Sequence, residues 1–203
     1  MNLIRPKLSK LFYSNGPKQT LPDCGIAVVP WYHSEAVFHS YSDSKTASCK
    51  VPSLQMLPFF VDNFGPKYTE WTTTAHEQSP GHHLEVRSYI ATFRSKCNDV
   101  ISWLSRPNYF PGFTEGWATY AENPVMANDT DIYNNTSNKN VLLQKYGMLK
   151  YQILAALRTL LDININYYNM SGMKAVLLYN KYAWGSRAMA PKDITRFQSS
   201  PGL

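Results

Sequence analysis

The chain opens with short apolar runs and closes with long amphipathic ones. Ile26-Ala27-Val28-Val29, bounded by Gly25 and Pro30, and Leu57-Pro58-Phe59-Phe60-Val61-Asp62-Asn63, closed by Asn63-Phe64-Gly65-Pro66, both read as strands. From Tyr68 the period changes. Tyr68 to Gln78 starts a helix, and Leu84, Val86, Tyr89, Ile90 and Phe93 resume helical spacing beyond a Pro80-Gly81 pair, with Asn98 to Trp103 prolonging the pattern. Pro107 to Phe113 reads as a loop, and Thr114 to Glu122 as a short helix stopped by Asn123-Pro124. The longest signal is Val141 to Asp162, where Leu142, Tyr146, Leu149, Ile153, Leu157, Leu160 and Leu161 recur at helical spacing and Arg158 and Asp162 stand one turn apart, placed to pair. Ser171 is set to cap a further helix through Ala175, Leu178 and Tyr182, and Pro191 opens a last one with Asp193 and Arg196. The pattern predicts a mainly α fold with a small β element beside the helix that starts at Tyr68.

Composition narrows the classes. At 203 residues and 44% hydrophobic content the chain can bury one core. Met1 to Pro22, with Pro6, Gly16, Pro17 and Pro22, reads as a linker or the end of a longer helix, leaving 23–203 as the body of a single domain. The formal charge of +6 is spread without a dense basic run, which gives nucleic-acid binding no support. No apolar run reaches the roughly 20 residues of a membrane helix, and Met1 to Pro17 holds no continuous signal-peptide core. Cys24, Cys49 and Cys97 are too few for a zinc finger or a disulfide scaffold and read as buried free thiols; were the chain secreted, Cys24 and Cys49 would be the pair to bridge. Four Asn-x-Ser/Thr sequons, starting at Asn128, Asn134, Asn135 and Asn169, are compatible with a secreted or lumenal protein, although Asn-rich sequence generates them by chance.

The chemistry concentrates between Thr74 and Glu85. His76, His82 and His83, three of the five histidines, fall there beside Glu77. Neutral imidazoles and carboxylates are zinc ligands, and a His-Glu pair followed by a second His supplies two ligands and a general base in many metallopeptidases. The usual spacing is His-Glu-x-x-His, but here the fourth residue after His76 is Pro80. On a straight helix His83 lies ~10.5 Å further along the axis than His76, and His82 is turned ~240° around it. Pro80 removes a backbone donor and Gly81 tolerates unusual backbone angles, so a bulge absorbing two residues would bring His82 to the second-ligand position and point His83 toward substrate or an outer carboxylate. The alternative is a helix that ends at Ser79, a Pro-Gly turn and two surface histidines. Glu115 and Glu122, two turns apart, offer a third ligand, most simply Glu115; a two-His, one-Glu site leaves a coordination position open and Glu77 as the base for water. Glu122 or His83 would orient a ligand from outside, and Tyr120 is a candidate contact to substrate or oxyanion. His33 and His39 have no second ligand type at useful spacing and read as solvated or packing histidines.

His76-Glu77-Gln78-Ser79-Pro80-Gly81-His82-His83-Leu84 and Glu115-Gly116-Trp117-Ala118-Thr119-Tyr120-Ala121-Glu122 together resemble the domain-of-unknown-function 885 family, which carries a metallopeptidase-like signature. The resemblance extends upstream to Leu21-Pro22-Asp23-Cys24 and downstream through Leu157-Arg158, Asp162 and Arg196 to Pro201-Gly202, and departs at Glu85, where the family usually has Gln. It implies a helical metallopeptidase-like fold, incomplete at both ends, with this chain as the C-terminal part of a catalytic domain. It also implies that the strand ending at Asn63 holds substrate backbone with a free edge. The expected function is a zinc-dependent peptidase or related amide hydrolase acting on a peptide or amide substrate. The other reading is a non-catalytic helical module, or a partial gene product, that keeps the signature without turnover.

Overall fold

A computed structural model describes residues 3–13, 15–19, 23–33, 39–44, 49–60, 67–93, 110–184 and 189–202. Asn63, Cys97, the segment Asn98 to Trp103 and the start of the Pro107 loop lie outside the described residues. The fold is mainly α-helical with one small sheet. The chain divides into two compact units, Met1–Lys145 and Tyr146–Leu203.

The first unit opens with a short helix α1 (Arg5–Leu8), which buries Ile4 and Leu8. Strands β1 (Ile26–Trp31), β2 (Ser40–Ser42) and β3 (Ser53–Pro58) form a sheet of order β1-β3-β2. β1 runs parallel to β3, from Ile26 opposite Ser53 to Trp31 opposite Pro58, while β2 is antiparallel to β3 with Tyr41 opposite Gln55. The second strand thus lies upstream of the predicted Leu57 to Asn63, because Phe59 and Phe60 already bend away. β3 is the central strand: β1 pairs along all of Ser53–Pro58, and β2 along Leu54–Met56.

Helix α2 (Glu70–Glu77) follows a single 3₁₀ turn at Lys67–Thr69, and α3 (His82–Ser88) continues into a wider turn at Tyr89–Phe93. Thr69 makes no side-chain cap on α2. The buried Gln144 stands in for one: its carbonyl accepts from Trp71 N at 3.0 Å and its amide donates to Lys67 O at 2.8 Å. Helix α4 (Pro111–Tyr120) begins with proline in its first turn, where the missing N–H costs nothing. The helical path is interrupted at Asn123-Pro124 as predicted: Asn123 is extended (φ −157°, ψ 118°), and a second helical stretch follows it to Asp129.

The second unit is built on the C-terminal part of α5 (Lys139–Asn166), with α6 (Gly172–Ala183) and α7 (Met189–Ser199). Ser171 caps α6 as predicted, accepting from Lys174 N. Leu157, Leu161 and Ile165 of α5 bury themselves against Ala175, Tyr179, Ala190, Ile194 and Phe197. Only part of the predicted apolar stripe faces this core: Tyr146, Leu149, Ile153 and Leu160, on another face of α5, are exposed. Nor does Arg158 pair with Asp162. Its Nε donates to Asp193 Oδ2 at 2.8 Å, where the Tyr179 hydroxyl also donates at 2.6 Å. Asp162 instead accepts from Asn166 Nδ2 and from Gly202 N. The buried carboxylate wins the arginine because it has lost its water and needs a counter-charge, whereas Asp162 is only partly covered.

Asp193 is 3% exposed. Removing it strands a largely covered guanidinium and a buried tyrosine hydroxyl, so Asp193→Ala should destabilise the protein by about 3 kcal/mol or more in urea unfolding. Asp162→Ala, which removes a surface acceptor, should change stability by less than about 1 kcal/mol.

Candidate metal centre

The site begins with how α2 ends. Gln78 still donates to Thr74 O at 2.9 Å but has left helical geometry (φ −107°, ψ −112°), and Pro80 has no N–H with which to continue. The chain then folds flat onto the helix end: Gly81 N donates to Ala75 O at 2.8 Å. A Cβ on Gly81 would lie 1.9 Å from His76 O and 2.4 Å from Ala75 O, so only glycine fits. α3 starts afresh at His82, and Gln78 O accepts from His83 N and Leu84 N. The expected bulge within one helix is therefore a complete break between two. It brings the rings of His76 and His82 to 4.8 Å between centroids, at 89°. Surface histidines are excluded too, since His82 is 7% exposed and His83 6%.

α4 closes the site from another direction. Trp117 Nε1 donates to Pro80 O at 2.8 Å, pinning the turn that carries His82. Two residues earlier, Glu115 reaches both rings: its Oε2 lies 3.3 Å from His76 Nε2 and 3.6 Å from His82 Nε2. Ligand atoms of His76, His82 and Glu115 all fall within 4.8 Å of one another. A tetrahedral ion with bonds of about 2.0–2.2 Å needs ligand atoms roughly 3.3–3.6 Å apart, and the two separations from Glu115 match that spacing. Two imidazoles and a single carboxylate suit zinc or a similar transition ion better than calcium or magnesium, which favour oxygen-rich shells.

Glu122, 1% exposed, stands behind His76. Its Oε1 is 2.7 Å from His76 Nδ1 and its Oε2 accepts from the Thr72 hydroxyl. That carboxylate orients the ring and leaves Nε2 to face Glu115. Burial opposes a charged His76, but the bonds to Glu115 and Glu122 outweigh it and raise its pKa to about 10. The bonds from His76 and His82 hold Glu115 well below the usual carboxylate range. Glu77 is buried, which pushes its pKa up, while His76 and His82 pull it back; its Oε2 has no hydrogen-bond partner among the described residues. Glu85 is also raised by burial.

His83 faces away from the triad. Its Nε2 donates to Cys24 O at 3.0 Å and its Nδ1 lies 3.2 Å from the Tyr41 hydroxyl. Tyr41 also stacks on His82, with centroids 6.2 Å apart at 26°. Tyr120 is half exposed and packs near Trp117 rather than on the histidines. Thr72, Trp117 and Tyr41 escaped the sequence reading. Thr72 was within reach of it, being one turn before His76 on the same face, whereas Tyr41 arrives from a strand and no local pattern marks it.

A family model described as bacterial protein of unknown function (DUF885) matches residues 4–203. The chain belongs to the DUF885 family. Among curated proteins none matches it. A crystal structure of a Colwellia psychrerythraea protein, named as a lipoprotein, has a similar fold, with a TM-score of 0.76 and 20% identity. The match covers 99% of the DUF885 chain and 32% of the other, so the chain spans about a third of that protein's length.

Gly81→Ala should cost about 3 kcal/mol or more, because the added carbon meets backbone oxygens that cannot move independently. Gly116→Ala, with nothing within 4 Å of the new carbon, should be neutral or stabilise α4 by up to about 1 kcal/mol. Denaturant midpoints of the two variants test the contrast.

Proposed function

We propose that the protein is a zinc-dependent peptidase or a related amide hydrolase. The observation that carries the reading is the convergence of His76, His82 and Glu115 beside the buried Glu77 carboxylate, whose Oε2 has no hydrogen-bond partner among the described residues. His76, His82 and Glu115 would hold the ion, and zinc so held supplies Lewis-acid polarisation of a carbonyl and makes water more acidic. Glu77 follows a ligand in sequence and, rotated ~100° from it on α2, flanks the site without joining the donor set. Burial keeps its proton affinity high enough to accept a proton from an attacking water and pass it to the leaving amine. Glu122 fixes the orientation of the His76 ring, and Thr72 holds Glu122. Peptides and related amides are the substrate class this combination serves.

An oxidising compartment belongs to the same proposal. Cys24 and Cys49 form a disulfide, where free thiols were expected, and disulfides persist outside the reducing cytosol. The lipoprotein name of the Colwellia psychrerythraea relative and the four sequons agree with a place in the envelope or a secretory lumen. No helix among the described residues is long and apolar enough to cross a membrane.

Equilibrium dialysis with metal analysis should find about one zinc per chain. His82→Ala should lose it and His83→Ala should keep it. Glu115→Ala should weaken affinity far more than Glu122→Ala, whose outer position implies a loss of about 10- to 100-fold. With a peptide mixture as substrate, Glu77→Gln should retain zinc and lose hydrolysis by about 10²- to 10⁴-fold. A protein that takes up no zinc, or a Glu77→Gln variant as active as its parent, would overturn the proposal.

A further inference from the structure

The Cys24–Cys49 disulfide has an unusual neighbour. Arg87, on the inner face of α3, is fully buried, and its Nη2 lies 3.2 Å from Cys24 Sγ and 4.0 Å from Cys49 Sγ. Its Nη1 is 3.3 Å from Asp43 Oδ1 and 3.3 Å from Ser44 Oγ. The two sulfurs are unequal in access as well, since Cys49 is exposed and Cys24 only partly so. The exposed residue thus carries one sulfur, and the other sulfur is backed by a buried cation.

We propose that Cys24–Cys49 is a thiol–disulfide exchange site for a dithiol reductant, with Cys49 as the sulfur attacked and Cys24 as the leaving thiolate. A reductant thiol, having given its proton to water, attacks Cys49 Sγ. A mixed disulfide forms, the Cys24–Cys49 bond breaks, and its electron pair leaves on Cys24 Sγ beside the Arg87 guanidinium. The second reductant thiol then loses its proton and attacks the mixed disulfide, making the reductant's own disulfide and releasing Cys49 as a thiolate that takes a proton from water. Two electrons pass from the dithiol to the protein. Exchange is fastest when the departing thiol has a low pKa and the attacked sulfur is accessible, and this geometry divides those two demands between two atoms.

The other charged groups facing Cys24 do not cancel the effect. Asp43 opposes a thiolate but is bonded to Nη1 of Arg87, while Nη2 faces the sulfurs. His83 touches the Cys24 carbonyl rather than the sulfur, and its pKa is lowered by burial, which keeps the ring neutral. Asp23 is exposed and paired with Arg5.

Two measurements on the full chain test the proposal. Brief treatment of the oxidised protein with glutathione, acid quenching and peptide mapping should find the glutathione on Cys49 and the free thiol at Cys24; glutathione on Cys24, or on both equally, overturns it. In the reduced protein, the pH profile of iodoacetamide alkylation should inflect for Cys24 at least about one pH unit below that for Cys49. Arg87→Met should abolish that difference, and coincident profiles in the unsubstituted chain would overturn the role of Arg87. The glutathione partition needs no variant, so a misfolded Arg87→Met protein would leave the first test intact.

Discussion

The contact between Gly81 and the last turn of α2 is the constraint on which the site depends. A backbone that passes within what would be bonding distance of a side chain's first carbon leaves one residue type possible. That approach ends α2, starts α3 and sets the directions in which two histidines project. Other contacts then converge on the turn: Trp117 holds Pro80 O, and the Gln78 side-chain amide bonds Gln55 of β3. Sheet and α4 both anchor to one four-residue break, which is why elements distant in sequence meet at a few ångströms.

The electrostatics of the centre are graded. Glu122 is almost completely buried and has both oxygens engaged, whereas Glu115 is half exposed and faces two imidazoles. A buried carboxylate without such bonds would be costly. The arrangement spends its well-satisfied acid on fixing a ring and leaves the accessible one for the mouth of the site. Glu77 differs from both, being buried with one oxygen that no described residue serves. Glu115 and Glu77, close neighbours, thus have opposite protonation preferences because their surroundings differ.

Much of this was legible in the sequence, and for identifiable reasons. The helical period of the second half, the Ser171 cap and the strand at Ile26 follow from local pattern, and the structure has them. His76 and His82 could be brought together on paper because Pro80 and Gly81 announce an interruption, but the form of it could not be read: the nearness of Gly81 to two carbonyl oxygens is a three-dimensional fact with no counterpart in spacing. Arg158 was assigned to Asp162 by proximity along the helix, and the choice of Asp193 depended on burial that only packing creates. The strand near Pro58 was displaced because Phe59 and Phe60 look like strand residues yet stand exposed, with Tyr32 against them. Tyr41 lay beyond reach because 42 residues separate it from the histidine it touches.

The break at Gly81 also bears on the order in which the centre can assemble. His76 and His82 are six residues apart, while Glu115 stands on a helix much further along the chain. Closing a chain segment grows costlier by about 0.6 kcal/mol with each doubling of its length, so the two nitrogens meet at little entropic expense. Their approach needs one short turn, which the sheet and α4 then hold. The oxygen donor waits for tertiary docking. Half of the centre is thus a product of local folding and half of global folding, and an ion captured by the first half would tether the nascent chain at the place where the second must arrive.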